Sequence, residues 1–236
     1  MITTPTQTMT TPTMTTQTMT IQFYWFGKTV FLEEILLNLF LISMFSILLV
    51  RYYNFIRIRY FHFLWEFCYY INFLFLGCLL LDPNKAFIYF IPFLHGPLLF
   101  YSVLFGDSLH PKKFLSWSIH SYAALISWFF RQNINSSIIP SLYAIYMVWF
   151  IPYAFYCFLY QGTNKTMIRY VYCFHSYQPV YIKDKIIYLV GHKVTVLFST
   201  YVGYIGMRNP WFDDLLIYGL VLSTLYHTIK KYKCHQ

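Results

Sequence analysis

Charged side chains are scarce in this sequence. Only 11% of its 236 residues are Asp, Glu, Lys or Arg, whereas a soluble domain carries about 25%. Hydrophobic residues make up 58% of the chain, and the mean hydropathy is +0.49. This composition excludes an ordinary soluble domain and indicates a membrane protein.

Motifs that would bind metals or form disulfides are also missing. The five cysteines form no CxxC pair and show no metal-ligand spacing, and the HxxHH cluster of membrane desaturases does not occur. We therefore expect no metal site and no structural disulfide. Cys68, Cys78 and Cys157 are expected to pack as small apolar groups within spans.

Long apolar stretches fill most of the chain after Lys28. A helix needs about 20 apolar residues to cross a hydrocarbon core of roughly 30 Å. The predicted spans are Val30–Val50, Tyr60–Leu81, Ala86–Gly106, Lys113–Phe130, Ile138–Tyr160, Ile186–Gly206 and Phe212–Thr228. The pattern predicts an all-α, polytopic transmembrane bundle over residues 29–230. We expect residues 1–28, rich in Thr, Met, Pro and Gln, to be a disordered tail, and residues 231–236 to be a short basic tail.

Most lysines and arginines fall on one side of this predicted membrane. That side carries Arg51, Arg57, Arg59, Lys112, Lys113, Lys165, Arg169, Lys183, Lys185, Lys230, Lys231 and Lys233. The other side carries Lys28, Lys85, Arg131 and Arg208. The positive-inside rule then places the amino terminus in the lumen or outside and the carboxyl terminus in the cytosol. Because topology explains the pI near 9.2, we expect no nucleic-acid partner.

Two glycosylation sequons provide a test of this orientation. Asn135-Ser136-Ser137 lies in a loop assigned to the lumen, whereas Asn164-Lys165-Thr166 lies in a loop assigned to the cytosol. Only the lumenal sequon should be modified.

A few strongly polar residues lie inside the predicted spans. Such residues are costly in hydrocarbon, so they are candidates for a functional site. They are Glu66, Asn72, His95, His120, and His192 with Lys193. Each also has a structural interpretation. Asn72 and His120 can serve as hydrogen-bond donors between helices, and Glu66 can pair with His62.

The residues around His95 and the position of Lys193 limit the roles that each can have. Pro97, two residues after His95, predicts a broken helix, with either a cavity or a kink around a packed histidine. Lys193 is not the retinal lysine of an opsin, because it lies in the sixth span and the third span has no acidic residue. We expect it to extend to the membrane surface or to pair with a carboxylate such as Asp184.

The loop Gly106-Asp107-Ser108-Leu109-His110-Pro111-Lys112-Lys113 joins the spans that carry His95 and His120. It is basic and assigned to the cytosol. Such a loop can bind the phosphates of a soluble cofactor or anionic lipid head groups.

Three segments together resemble the glycerophosphocholine acyltransferase family, whose members are multispanning enzymes of the endoplasmic reticulum. They are Glu66-Phe67-Cys68-Tyr69-Tyr70-Ile71-Asn72, His95-Gly96-Pro97-Leu98, and Ser116 followed by Ile119-His120. The resemblance covers roughly residues 60–130. Lys112 and Lys113 occupy positions where the family has Asp-Lys, and Leu99-Phe100-Tyr101 replaces a tryptophan-rich segment. The family is usually drawn with eight spans, so eight is the alternative to our count of seven.

The resemblance implies an acyltransferase that moves an acyl chain from acyl-CoA to glycerophosphocholine, giving lysophosphatidylcholine. It implies His120 or His95 as the base and Asn72 or the second histidine as the oxyanion donor, with Glu66 in the same site. His110, Lys112 and Lys113 would meet the CoA phosphates. Its partners would be membrane lipids and these two substrates, with no resident cofactor.

A second class of function stays open from the sequence. A transporter or an assembly subunit would use the same histidines for structure alone. Transporters often carry paired broken helices in inverted repeats. One broken helix is evident here, at Gly96-Pro97, and the sequence shows no convincing second copy.

Overall fold

The computed structural model describes residues 22–25, 28–57, 66–104, 106–130, 138–159 and 182–233. The chain divides into two compact units, Met1–Phe40 and Leu41–Gln236. In the first unit, strands β1 (Gln22–Trp25) and β2 (Lys28–Phe31) pair antiparallel, with Gln22 opposite Phe31. The sequence did not predict this hairpin. Most of the predicted tail, residues 1–21, lies outside the described residues.

Each of the seven predicted spans contains a helix. The single-piece helices are α1 (Leu32–Arg57), α2 (Phe67–Leu81), α5 (Ile139–Leu159), α6 (Ile182–Arg208) and α7 (Pro210–Lys233). Helix α3 runs from Pro83–Phe93 through a π-helical turn, Leu94–Leu98, to Leu99–Leu104. Helix α4 runs from Pro111–Trp117 through a second π turn, Ser118–Tyr122, to Ala123–Phe129.

Four helical segments of the described chain are long and apolar enough to cross a membrane. They are Glu34–Arg57, Pro83–Leu104, Ile139–Phe158 and Lys185–Arg208. Helix α2 is apolar but shorter. Large apolar side chains such as Val148, Phe155 and Phe198 are exposed on the outer faces of α5 and α6. Outward apolar faces on helices of this length are typical of a membrane protein.

Helix α3 is the central helix of the second unit. In its most apolar window 72% of the residues are buried, compared with 28% in α5 and 39% in α6. Two glycines bring α3 and α6 together: a Cβ on Gly96 would lie 2.1 Å from the carbonyl oxygen of Ser199, and one on Gly203 would lie 2.3 Å from that of Pro92. Small residues allow helices in a membrane to approach this closely.

The start and the middle of α3 follow from its prolines and from Asp82. Asp82 caps the helix, since its side chain accepts a hydrogen bond from the Lys85 amide at 3.2 Å, and Pro83 takes the first helical position. Pro97 has no amide hydrogen, and the wider π turn accommodates it without ending the helix. The break predicted at Gly96-Pro97 is therefore a local widening of a continuous helix.

Aromatic rings pack α2 against α3 and α5. Phe67 lies 5.7 Å from both Phe93 and Tyr146, and 5.1 Å from Trp149, in edge-to-face arrangements between ring centroids. Such pairs add stabilisation beyond the burial of their area. Cys68, Cys78 and Cys157 lie in these helices as free thiols.

Candidate functional site

Two buried histidine–aspartate pairs lie inside the second unit. His95 and His120, both singled out from the sequence, lie in the π turns of α3 and α4 respectively. Turns of this kind are frequent at functional sites because they redirect side chains and disrupt the regular backbone ladder. The two pairs differ in the partners of the imidazole ring.

The ring of His95 is fully engaged by the protein. Its Nδ1 lies 2.6 Å from Oδ1 of Asp213, and its Nε2 lies 3.0 Å from the carbonyl oxygen of Ala124 and 2.9 Å from Oγ of Ser127. The side chains of His95 and Asp213 have no solvent exposure. The pair therefore joins α3 to the first turn of α7, and Nε2 joins it to α4.

Protein groups occupy both ring nitrogens of His95. A carboxylate faces Nδ1, and a carbonyl and a hydroxyl face Nε2. Neither nitrogen is therefore open to a substrate. Asp213 faces the ring from the amino-terminal turn of a helix, where a carboxylate is favoured.

His120 pairs with an aspartate from the loop before its own helix. Its Nδ1 lies 2.7 Å from Oδ2 of Asp107, and the Asp107 side chain is fully buried. An N–H donated to a carboxylate from Nδ1 makes Nε2 the basic nitrogen of the neutral ring. This is the arrangement required of a histidine that accepts a proton during catalysis.

The loop that carries Asp107 is braced by α7. Gly106 has a φ of +58°, and a Cβ there would lie 3.0 Å from the ring of His227, so both conformation and space favour glycine. The amide of Leu109 donates to Oγ1 of Thr228 at 3.0 Å. These contacts hold Asp107 in position under His120.

Asn72 connects α2 to the same part of α4. Its Nδ2 donates to the carbonyl oxygens of Cys68 at 2.7 Å and Ile119 at 2.9 Å. An amide has only two N–H groups, and both are used here. Asn72 therefore has no donor left for an oxyanion, and it acts as the link between helices that the sequence offered as its alternative role.

Glu66 precedes the first turn of α2 and does not cap it with its side chain. Its Oε2 lies 3.9 Å from the thiol of Cys68, and its Oε1 is buried with no hydrogen-bond partner in the described structure. His62, the salt-bridge partner considered from the sequence, lies outside the described residues.

The residues expected to bind CoA phosphates have mixed placements. His110 is buried, with its ring 5.1 Å from that of Tyr232 on α7, so it braces the loop. Lys113 is partly exposed at the start of α4. The side chain of Lys112 is not among those that the structure describes.

A third histidine, His192 on α6, forms a cluster with aromatic residues. Its ring lies 5.3 Å from Trp149, 5.8 Å from Tyr153 and 5.9 Å from Tyr188, measured between centroids. Its Nε2 lies 3.4 Å from the hydroxyl of Tyr101, whose ring is 6.3 Å from that of His120. The neighbouring Lys193 places its ammonium 5.7 Å from the rings of Tyr143 and Phe150, a cation–π contact that the sequence did not predict.

Three of the four residues predicted as catalytic meet on α4. Asn72 contacts the carbonyl of Ile119, His120 is the next residue, and His95 contacts the carbonyl of Ala124 one turn later. The sequence did not identify Asp107 or Asp213 as partners, and it offered His192 only as a polar residue within a span. The available signal was that Asp107 follows one predicted span and Asp213 lies at the start of another, where a carboxylate needs a partner.

Comparisons of this chain with protein-family models, with curated proteins and with solved structures found no match.

Proposed function

We propose that this chain is an integral membrane acyltransferase that transfers an acyl chain from acyl-CoA to glycerophosphocholine, giving lysophosphatidylcholine. The observation that supports it best is the His120–Asp107 pair, a buried base with an orienting carboxylate, 2.7 Å apart. Lys112 stands where the resembled family has an acidic residue, and Asp107 supplies a carboxylate to the histidine from another position in the same loop.

The reaction needs one proton to be moved twice. The hydroxyl oxygen of glycerophosphocholine attacks the thioester carbonyl while Nε2 of His120 takes the hydroxyl proton. The carbon–sulfur bond then breaks, and the imidazolium returns the proton to the CoA thiolate. Asp107 stabilises the imidazolium while it exists, and general base catalysis of this kind contributes about 10²- to 10⁴-fold.

In this proposal the other predicted site residues have supporting roles. His95, engaged at both nitrogens, fixes α3 against α4 and α7. Asn72 positions the turn that carries His120. Glu66 places its carboxyl group near the thiol of Cys68, and we assign it no step of the reaction.

The proposed topology supports cytosolic access of acyl-CoA. Seven spans with a lumenal amino terminus put the loop before α4 and its lysines in the cytosol, and the endoplasmic reticulum is the expected membrane. Expression in microsomes tests this orientation. Glycosidase treatment should shift the wild type and an Asn164→Gln variant, but not an Asn135→Gln variant.

Microsomes containing the protein test the activity. With radiolabelled glycerophosphocholine and oleoyl-CoA, wild type should give labelled lysophosphatidylcholine, and His120→Gln at matched expression should not. Absence of product from folded wild-type protein, with other acyl acceptors equally inert, would contradict the proposal.

A proton-coupled transporter is the second candidate. The observation that favours it is the presence of two buried His–Asp pairs that meet the same helix, since ionisable groups inside membranes often mark proton paths. Proton uptake by proteoliposomes, dependent on both histidines, would favour this function over acyl transfer.

A further inference from the structure

A cleft of about 410 Å³ lies between α3 and α6, outside the two His–Asp pairs. Ligand pockets typically measure about 300–1,000 Å³, so its size fits a small ligand or one extended chain. Phe100 and Leu104 line it from α3, and Ile187 lines it from α6. All three are more than a third exposed on the outer face of the helices. The cleft therefore opens sideways, where a membrane would supply hydrocarbon.

The inner end of the cleft is polar. Tyr101, Tyr188 and His192 line it, and His192 is only 8% exposed. Nδ1 of His192 has no hydrogen-bond partner in the described structure. A buried polar atom without a partner is destabilising, so this atom is suited to a ligand group that supplies the missing bond.

Tyr101 connects this polar end to the proposed base. Its hydroxyl lies 3.4 Å from Nε2 of His192, and its ring is 6.3 Å from the ring of His120. A carbonyl group held at the inner end would therefore lie beside the His120–Asp107 pair.

The apolar cleft also adjoins the basic loop. Leu104 is the last residue of α3, and the loop that leads to Lys112 and Lys113 follows it. A ligand with an apolar chain and a phosphate-rich head would match both surfaces. That combination favours acyl-CoA over a free fatty acid or a zwitterionic lipid.

We propose that this cleft holds the acyl chain of the acyl-CoA donor. The chain lies between α3 and α6 and faces the bilayer. The Tyr101 hydroxyl donates to Nε2 of His192, which places the ring proton on Nδ1, and Nδ1–H donates to the thioester carbonyl. His192 supplies the oxyanion donor that Asn72 cannot. This inference rests on the proposed function for the identity of the donor, but binding can be measured without acyl transfer.

Gly191 allows the cleft to be filled without disturbing helix packing. It lines the cleft, and a Cβ added to it meets no atom within 4 Å. Gly219 on α7 is equally open and does not line the cleft, so Gly219→Phe is the matched control for Gly191→Phe. Leu104→Trp fills the cleft from α3 as a second, independent variant.

The experiment is photolabelling of the full chain in nanodiscs with palmitoyl-CoA that carries a diazirine at the end of its acyl chain. Wild type and Gly219→Phe should be labelled in the segments 100–104 or 187–195. Labelling of Gly191→Phe and Leu104→Trp should be at least about tenfold lower, a difference of about 1.4 kcal/mol in binding. Their elution profiles should match that of wild type. Equal labelling of all four proteins, or labelling elsewhere, would overturn the proposal.

Competition with unlabelled compounds shows which class of molecule supplies the acyl chain in the cleft. The His120→Gln variant distinguishes binding of acyl-CoA from acyl transfer. Unlabelled palmitoyl-CoA should remove the labelling, whereas palmitate and lysophosphatidylcholine should not. Equal competition by all three would overturn the assignment to the acyl donor. His120→Gln should keep its labelling while losing product. If wild type is labelled at the cleft but makes no product, the acyltransferase proposal fails while the binding site stands.

Discussion

The two His–Asp pairs have the same chemical groups and different surroundings. Around His95, each ring nitrogen meets a polar group of the protein, and α6 approaches so closely that only glycine fits at position 96. Around His120, the ring pairs with Asp107 through Nδ1 and adjoins Tyr101, which lines a cleft. The first environment suits a fixed link between helices, and the second suits a base beside a substrate.

A buried histidine with an aspartate partner can therefore be structural or catalytic. The two pairs differ in the surroundings of the ring: α7 and α4 hold His95 at both nitrogens, whereas His120 adjoins Tyr101, which lines the cleft. We expect substitutions at the His95 pair to lower mainly stability, and substitutions at the His120 pair to lower mainly activity.

The largest effect should come from breaking the helix contact beside His95. Gly96→Val places a branched side chain where even a Cβ would lie 2.1 Å from a backbone carbonyl of α6. We expect the free energy of unfolding to fall by more than about 3 kcal/mol, or no folded protein to form, because neither helix backbone can move away without losing its packing. Thermal unfolding in detergent measures it. Gly77→Val is the control, since nothing lies within 4 Å of its added Cβ, and similar losses in both variants would contradict the packing argument.

Asp213→Asn should break the first pair directly. It removes the buried carboxylate that faces Nδ1 of His95, and losing a buried hydrogen bond to a charged group costs about 1.5–3 kcal/mol. Asp214→Asn is a neighbouring control. Asp214 accepts from Nε1 of Trp128 at 2.8 Å and is only partly buried, so we expect a loss of about 1 kcal/mol. Equal unfolding temperatures for the two variants would contradict this stabilising role of Asp213.

His192→Phe tests whether His192 belongs to the site around His120. An aromatic ring is kept, but both nitrogens are lost, so we expect a transfer rate lower by at least roughly tenfold. Stability should fall by only about 1 kcal/mol, because the hydrogen bond that is lost, between Nε2 and the Tyr101 hydroxyl, is long at 3.4 Å and Nδ1 has no partner in the described structure. Initial rates beside unfolding curves measure both. An unchanged rate would remove His192 from the site.

The smallest effect should come from Asp82, a partly exposed carboxylate at the start of α3. The amide and ammonium groups of Lys85 hold the pKa of Asp82 below its usual value. Its contribution to stability is therefore present above the unfolded pKa of about 3.9 and is lost as pH falls through the lower folded value. Asp82→Asn should lower the unfolding temperature slightly near pH 7 and not at pH 2. A loss that persists at low pH would contradict this origin.

The helices could be predicted from the sequence because apolar length alone specifies them. Every predicted span contains a helix, although the count of seven spans stays a prediction. The hairpin of β1 and β2 was missed although its residues carry a signal. Phe23-Tyr24-Trp25 and Thr29-Val30-Phe31 are strand-forming, and Gly27 lies between them.

The candidate histidines were also identifiable, since a histidine inside an apolar run is rare. Their partners were not. Asp213 lies 118 residues from His95, and no local spacing reveals that contact. The use of both amide hydrogens of Asn72 depends on two carbonyls from different helices. The aromatic cluster around His192 likewise brings together residues of α5 and α6.

The most direct test of this account is the rate of glycerophosphocholine acylation per folded molecule in Asp107→Asn and Asp213→Asn, measured side by side in microsomes. We predict a loss of about 100-fold or more in Asp107→Asn. The folded fraction of Asp213→Asn should keep a rate close to that of wild type. Equal losses in the two variants, or an unchanged rate in Asp107→Asn, would contradict the different roles of the two pairs.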